Sequence, residues 1–263
     1  MSLRRRGTCS LAWTEDSQVL GIAAARPRSG PRTWEASHLY LASENDSMCQ
    51  DLIRMVTQRV ARLGGERIFV RFAHEDPLID DVRVCGFSPS GREYLYRGRR
   101  RSAHPAGRID VRDKSRADEY SIFLLYTACT PSDRRLSSGM TFGQWSASRE
   151  KSRGRTREFV YLRDGEVRGW IRTVRGFRAG MVLLMVHPDD EASIDVLLDY
   201  GLERLPGQGE VFCLVSEHQS ALIGNMWQRG FEVQSEYLTL VRSMVTPVLD
   251  EERKAGVTRA PVG

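Results

Sequence analysis

Apolar residues along the chain fall into short runs broken by polar turn formers, and into longer stretches at helical spacing. Leu11 to Trp13 and Val19 to Ala25 flank Glu15-Asp16-Ser17, a polar cluster that predicts a hairpin. His38 to Leu41 reads as a third strand. After Ser43-Glu44-Asn45-Asp46 the period changes, and Leu52, Met55, Val56, Val60 and Leu63 recur at spacings of three and four. That pattern predicts a helix with one apolar face, ended by Gly64-Gly65. Ile68 to Phe72 then reads as a strand, Pro77 to Val84 as a short helix opened by proline, and Phe87 to Tyr96 as a closing strand.

The same order returns later in the chain. Leu39 recurs 144 positions on as Leu183, Gly65-Glu66 as Gly209-Glu210, His74 as His218, and Gly86-Phe87 as Gly230-Phe231. Asp16, Val19 and Gly21 are echoed by Asp164, Val167 and Gly169, and Glu93-Tyr94-Leu95 by Glu236-Tyr237-Leu238. A period this long exceeds the roughly 20 to 50 residues of solenoid or propeller units, so it marks a duplicated domain. In the second copy Phe159 to Leu162 and Val167 to Val174 flank Asp164-Gly165, a stronger hairpin turn than its counterpart. Met181 to Val186 is the next strand. A helix from about Asp189 to Leu205 follows, with Ile194, Leu197, Leu198 and Leu202 inward, then a strand at Val211 to Val215. A helix from about Ser220 to Gln228 and a strand at Phe231 to Val241 close the copy.

Residues 98–117, rich in Arg, Ala, Gly and Pro, read as a basic linker between a first domain at 1–97 and a second at 118–245, with a polar tail at 246–263. Only the second half has a leading segment. There Tyr120 to Thr127 suggests a first strand and Pro131 to Trp145 a helix broken at Gly139.

Composition narrows the function classes. The chain has 263 residues, enough for two compact domains, and 41% hydrophobic with 28% charged residues lies in the globular range. Five cysteines without a Cys-x-x-Cys pair suggest a reduced, cytoplasmic protein. Neither apolar run, Ile122 to Tyr126 nor Met181 to Val186, is long enough to span a bilayer, so no membrane association is expected. The net charge is +5, and only Lys114, Lys151 and Lys254 are lysines among 39 basic residues. Arginine clusters at Arg97 to Arg101 and Arg149 to Arg157 could meet phosphates, yet no nucleic-acid motif with interleaved aromatics accompanies them. Nucleic-acid binding is therefore ranked last. The five histidines lack the paired spacing of a metal site.

A hairpin, a third strand, a long helix, a strand, a short helix leading to Gly-Phe and a final strand together resemble the GNAT superfamily of acyl-CoA-dependent N-acyltransferases. Gly-Glu-Arg-Ile-Phe-Val-Arg at 65–71 with Gly86-Phe87, and Gly-Glu-Val-Phe-Cys-Leu-Val at 209–215 with Gly230-Phe231, carry the resemblance, and Leu125 to Trp145 looks like that fold's leading strand and paired helices. The fold implied is α/β of the α+β type: two GNAT-like domains, each a mixed, mostly antiparallel sheet flanked by helices, the first lacking the leading strand and helices. The resemblance also implies acetyl-CoA or another acyl-CoA as co-substrate, and a small-molecule or protein amine as acceptor.

In that family the pyrophosphate rests on backbone amides where the third strand meets the long helix, because a helix N-terminus offers unpaired N–H groups. In the second copy this turn is Met185, Val186, His187, Asp189 and Asp190, the expected cofactor contact. His187, Glu217 and His218 end neighbouring strands and are the catalytic candidates, since an imidazole or a carboxylate there could accept the amine's proton. The family's glycines are missing from this turn, as they are from Ser43-Glu44-Asn45-Asp46-Ser47, and both turns place acidic side chains where a diphosphate would lie. Val82 and Met226 replace the tyrosine that protonates departing CoA, and Glu75 and Gln219 replace the usual asparagine. The sequence thus supports two readings: a GNAT-type N-acetyltransferase, and a catalytically inactive tandem module that binds or scaffolds.

Overall fold

Both hairpins turn on residues with positive φ. Asp16 and Ser17 (φ 47° and 67°) join β1 (Cys9–Glu15) to β2 (Gln18–Pro27), and Asp164 and Gly165 (54° and 80°) join β7 (Arg155–Arg163) to β8 (Glu166–Arg175). Two central residues in the left-handed region match the right-handed twist of the flanking strands. The two hairpins also share a β-bulge, at Trp13/Thr14 and at Tyr161/Leu162. Register counting therefore aligns Gly21 with Gly169, which pair with Leu41 and Val186 respectively, and so matches Leu39 with Leu184, one position beyond the Leu183 that the sequence echo suggests. Each glycine lies beneath a helix: a Cβ on Gly21 would sit 2.7 Å from Leu52, and one on Gly169 would sit 3.1 Å from Leu197.

The computed structural model describes residues 8–42, 46–99, 109–139, 141–150, 154–205, 207 and 209–244. In the first half the hairpin is followed by β3 (Thr33–Leu41), α1 (Asp46–Arg62), β4 (Arg67–Ala73), α2 (Leu78–Val84) and β5 (Ser88–Arg99). The second opens with β6 (Val111–Asp113), α3 (Glu119–Cys129), α4 (Ser132–Ser138) and α5 (Phe142–Ser148). Its hairpin is followed by β9 (Ala179–Val186), a 3-10 turn (Pro188–Ser193), α6 (Ile194–Glu203), β10 (Glu210–Ser216), α7 (Ser220–Gln228) and β11 (Glu232–Ser243).

Among the described residues the eleven strands form one sheet, in the order β1-β2-β3-β4-β11-β5-β10-β9-β8-β7-β6. The closing strands are exchanged. β11 pairs with β4 of the first half, β5 pairs with β10 of the second, and β5 and β11 pair with each other, all antiparallel. The exchange carries side chains into the opposite cores: Leu238 and Leu240 of β11 are buried with Leu52, Val56 and Ile68, while Tyr96 of β5 is buried with Leu197, Val211 and Met226. Each core is thus completed by the other half of the chain.

Two parallel pairings are short. β3 and β4 pair only from Thr33/Arg67 to Glu35/Phe69, and β9 and β10 only from Ala179/Glu210 to Val182/Cys213. Beyond these points the strands part in both halves. In the second half α6 covers Phe159, Ile171 and Val182 on one face of the sheet. Strand alternation turns Val160 and Trp170 to the opposite face, where they pack with Ile122 of α3 and Trp145 of α5.

Several expectations need correction. The apolar run Tyr120 to Thr127 is helix α3, not a strand; an unbroken apolar run carries no period that separates the two. A capping box at Ser115, reciprocated by Asp118, opens the turn that leads into it. The first strand is instead β6, inside the segment expected to be a linker, and β5 runs on to Arg99; residues 100–108 and the tail from 245 lie outside the described residues. Met55 and Leu63 are exposed, and Cys49 and Ile53 fill the inner face of α1 with Leu52, Val56 and Val60. The helix expected from Asp189 to Leu205 begins as a 3-10 turn kinked at Asp190, although Ile194, Leu197, Leu198 and Leu202 are buried as the spacing implies.

Candidate functional site

A cleft of about 270 Å³ opens where β9 and β10 part. Leu183, Leu184 and Met185 line one wall, and Leu214 and Ser216 to Gln219 another. Tyr126 and Cys129 of α3, Thr130 at its C-terminal cap and Arg134 of α4 cover it. Its remaining wall comes from the first half, through Arg28, Phe69, Arg71 and the stretch Ser90 to Glu93 of β5. Because β5 is the exchanged strand, the two halves build the cleft jointly. Beside it a recess of about 60 Å³ is lined by Cys129, Val186, Glu191, Ile194, His218 and Gln219.

The sequence-derived candidates separate. Glu217, His218 and Met185 line the cleft, and His218 borders the recess as well. Arg134 of α4 donates to the Glu217 carboxylate, and Arg92 approaches it at 4.0 Å. Burial pushes the His218 imidazole below its ordinary value of 6.5, with the Arg134 charge adding to the effect against Asp133. It is therefore neutral at pH 7. His187 lines neither cavity: its amide continues the ladder to Arg168 O at 2.9 Å, and its Nδ1 accepts from Asp189 N at 3.2 Å. It is a cap for the turn that follows.

The expected phosphate turn is filled by the chain's own groups. Asp190 is 1% exposed, accepts from Arg168 Nε at 2.6 Å and pairs with Arg163. Burial works against its charge, and the two arginines outweigh that and hold the carboxyl below its usual range. Asp189, mostly exposed, lies 3.2 Å from Arg168. The acidic residues that sequence alone reads as repulsive toward an anion are thus partly neutralised. Main-chain acceptors on the free edge of β9 are also engaged: Gln219 Nε2 donates to Leu184 O at 3.0 Å, and the Cys129 thiol to Val186 O at 3.1 Å. Burial pushes that thiol up to about 12, so it stays protonated. Val82 and Met226, at the tyrosine position, are both fully buried and line neither cavity. The corresponding first-half turn at Ser43 to Asn45 lies outside the described residues.

Sequence reading missed the ionic floor of the cleft. Arg71 Nη2 lies 2.7 Å from both Glu93 Oε2 and Glu150 Oε1, and Arg28 lies 3.2 Å from Glu150 and 3.3 Å from Glu35 while stacking 4.2 Å above Phe69. Burial opposes the charges of Arg71 and Glu150; Glu93 and Glu150 outweigh it and raise the Arg71 guanidinium, while Arg71 and Arg28 outweigh it and lower the Glu150 carboxyl. Arg149 of the second basic cluster pairs with Glu158, which Arg172 also meets, and Arg157 of that cluster pairs with Asp113, so these two cluster arginines serve the fold. Arg97 of the first cluster pairs with Glu210. No spacing signal marks these partners: Arg71 and Glu150 are 79 residues apart, and Arg97 and Glu210 are 113 apart. Among the described residues no group of three or more His, Cys, Asp or Glu side chains could hold a metal ion, and no helix is long and apolar enough to cross a membrane.

No protein-family model matches the chain, and no curated protein matches it. Solved structures do. A tandem GNAT protein from the clavulanic acid biosynthesis pathway superposes with a TM-score of 0.55 at 14% identity, covering 92% of this chain and 85% of its own. A GCN5-related N-acetyltransferase from Sphaerobacter thermophilus gives 0.55 at 14% identity, with 87% and 78% covered. The N-myristoyltransferase of Saccharomyces cerevisiae, with bound myristoyl-CoA, gives 0.52 at 11% identity, with 86% and 67% covered. At such identities a likeness speaks for architecture. With its duplicated halves, single mixed sheet and parted parallel strands, the protein has the tandem GNAT fold.

Proposed function

We propose that the protein is an acyl-CoA-dependent N-acyltransferase whose acceptor amine enters the cleft between the halves. The observation that carries this reading is the parting of β9 and β10 beyond Val182 and Cys213, which opens the cleft beside a neutral imidazole at His218. In the reaction the amine nitrogen attacks the thioester carbonyl, the C–S bond breaks, and CoA leaves as its thiolate. His218 takes the proton lost by the amine. Glu217 is committed to Arg134 and so positions rather than abstracts. Phe69, Leu183 and Leu184 provide the apolar wall that excludes water. Release of free CoA, followed with a thiol reagent across a broad amine panel, tests the proposal. Turnover above background that His218→Gln removes supports it, and the absence of both turnover and acetyl-CoA binding heat sinks it.

A second reading, a binding module without turnover, is favoured by the Gln219–Leu184 and Cys129–Val186 hydrogen bonds, which occupy main-chain acceptors on the parted strand, and by the closed turn around Asp190. Calorimetry separates the two. Acetyl-CoA heat without CoA release favours the module, and any amine-dependent release excludes it.

A further inference from the structure

The duplication exposes on one half a surface that the other half covers. The shared bulge and the pairings Gly21/Leu41 and Gly169/Val186 align the hairpin residues one by one. Val160, Leu162, Val167, Trp170 and Met185 of the second half all pack into the cluster beneath α3 and α5. Their first-half counterparts by register are Ala12, Thr14, Val19, Ile22 and Tyr40, and every one of them is exposed. Three are large and apolar: Val19 is 51% exposed, Ile22 38% and Tyr40 64%. Among the described residues no helix equivalent to α3 covers them.

The chain also carries an unpartnered surface of the complementary kind. Helix α3 is apolar on all sides. Ile122 and Leu125 are buried inward, while Tyr120 and Leu124 on its outer side are 57% and 51% exposed. Phe142 of α5, in edge contact with Tyr120 at 5.7 Å between ring centres, extends this patch. A helix hydrophobic all round is normally enclosed on all sides. We infer that the bare hairpin face around Ile22 and Tyr40 docks the outer side of α3 from a second copy of this chain. The contact sets a helix on this hairpin face as the second half sets α3 on its own, here through the helix's outer side instead of its inner one. It is independent of any acyl-transfer activity.

Sedimentation velocity of the full chain over a range of concentrations reads the association directly. The inference expects a concentration-dependent dimer or larger assembly, weakened at least about tenfold in Kd by Tyr40→Glu and likewise by Leu124→Glu. Both positions are exposed in one copy, and unchanged near-ultraviolet circular dichroism checks that the variants fold. Phe177→Glu, at a residue 96% exposed in the β8–β9 turn, is the control and leaves association as it was. A wild-type chain that stays monomeric into the millimolar range overturns the inference. So does an assembly that Tyr40→Glu and Leu124→Glu leave intact, or one that Phe177→Glu weakens equally.

Discussion

Tyr94 of β5 pairs with Glu236 of β11, and one step along the ladder Glu93 pairs with Tyr237. These are the echoed residues of the two copies, so the ladder pairs each copy's glutamate with the other's tyrosine. A local two-fold axis therefore runs through the ladder, perpendicular to the sheet. Each core takes side chains from the far half, so the halves should melt together. A single thermal transition, coincident by far-ultraviolet circular dichroism and tryptophan fluorescence, is expected. Residues 1–97 expressed alone, without β11, should remain largely unfolded in the same assays.

Close approach on the exchanged strand makes Gly98 sensitive. A Cβ there would lie 2.5 Å from the ring of Phe231, which is itself buried. Gly98→Val should cost about 1–3 kcal/mol or more through overpacking. Gly143→Ala, with open space around it and a helical position, should be neutral or slightly stabilising. Paired denaturant melts check the contrast.

His218 sets an acid limb. Its folded value lies below 6.5 because the charged form is disfavoured, so the unfolded chain binds the extra proton more readily. The stability this contributes is fully present above about 6.5 and is lost as pH falls through the folded value. If His218 is the base, kcat/KM should stay level to a pH below that of an ordinary imidazole and then fall. In His218→Gln activity itself should fall to background, and this part of the stability loss should vanish.

Arg28 holds the floor of the cleft. Removing it leaves Glu35 to Arg26 and Glu150 to Arg71 and deletes the stack on Phe69, so Arg28→Ala should destabilise by about 1–3 kcal/mol. Replacing the exposed Arg32, paired with Glu66 at the surface, should cost less than about 1 kcal/mol. Urea midpoints for the two variants measure the difference.

Much of the fold was legible because hairpin turns, strand alternation and the spacing of Leu197, Leu198 and Leu202 are local signals, and the duplication counted them twice. Helix α3 was not: from Tyr120 to Thr127 nothing alternates, and only Asp118 three residues after Ser115 marks a helix start. The exchange of β5 and β11 was invisible, since each strand reads the same whichever neighbour it pairs with. For the site, Glu217 and His218 could be named from their strand ends. Arg71, Glu93 and Glu150 could not, because the sheet brings them together from distant positions. His187 was misplaced for the opposite reason: a local cap on Asp189 N captured its side chain.

The Asp190 carboxylate gives the turn after β9 an anion of its own. Tethered four residues beyond the strand and clasped by Arg163 and Arg168, it competes for those arginines at the high effective concentration that a covalent tether gives. The competition is built into the covalent chain, so a phosphate-bearing ligand would have to displace the protein's own aspartate to reach both arginines. Asp190→Asn lowers that internal competitor without emptying the turn.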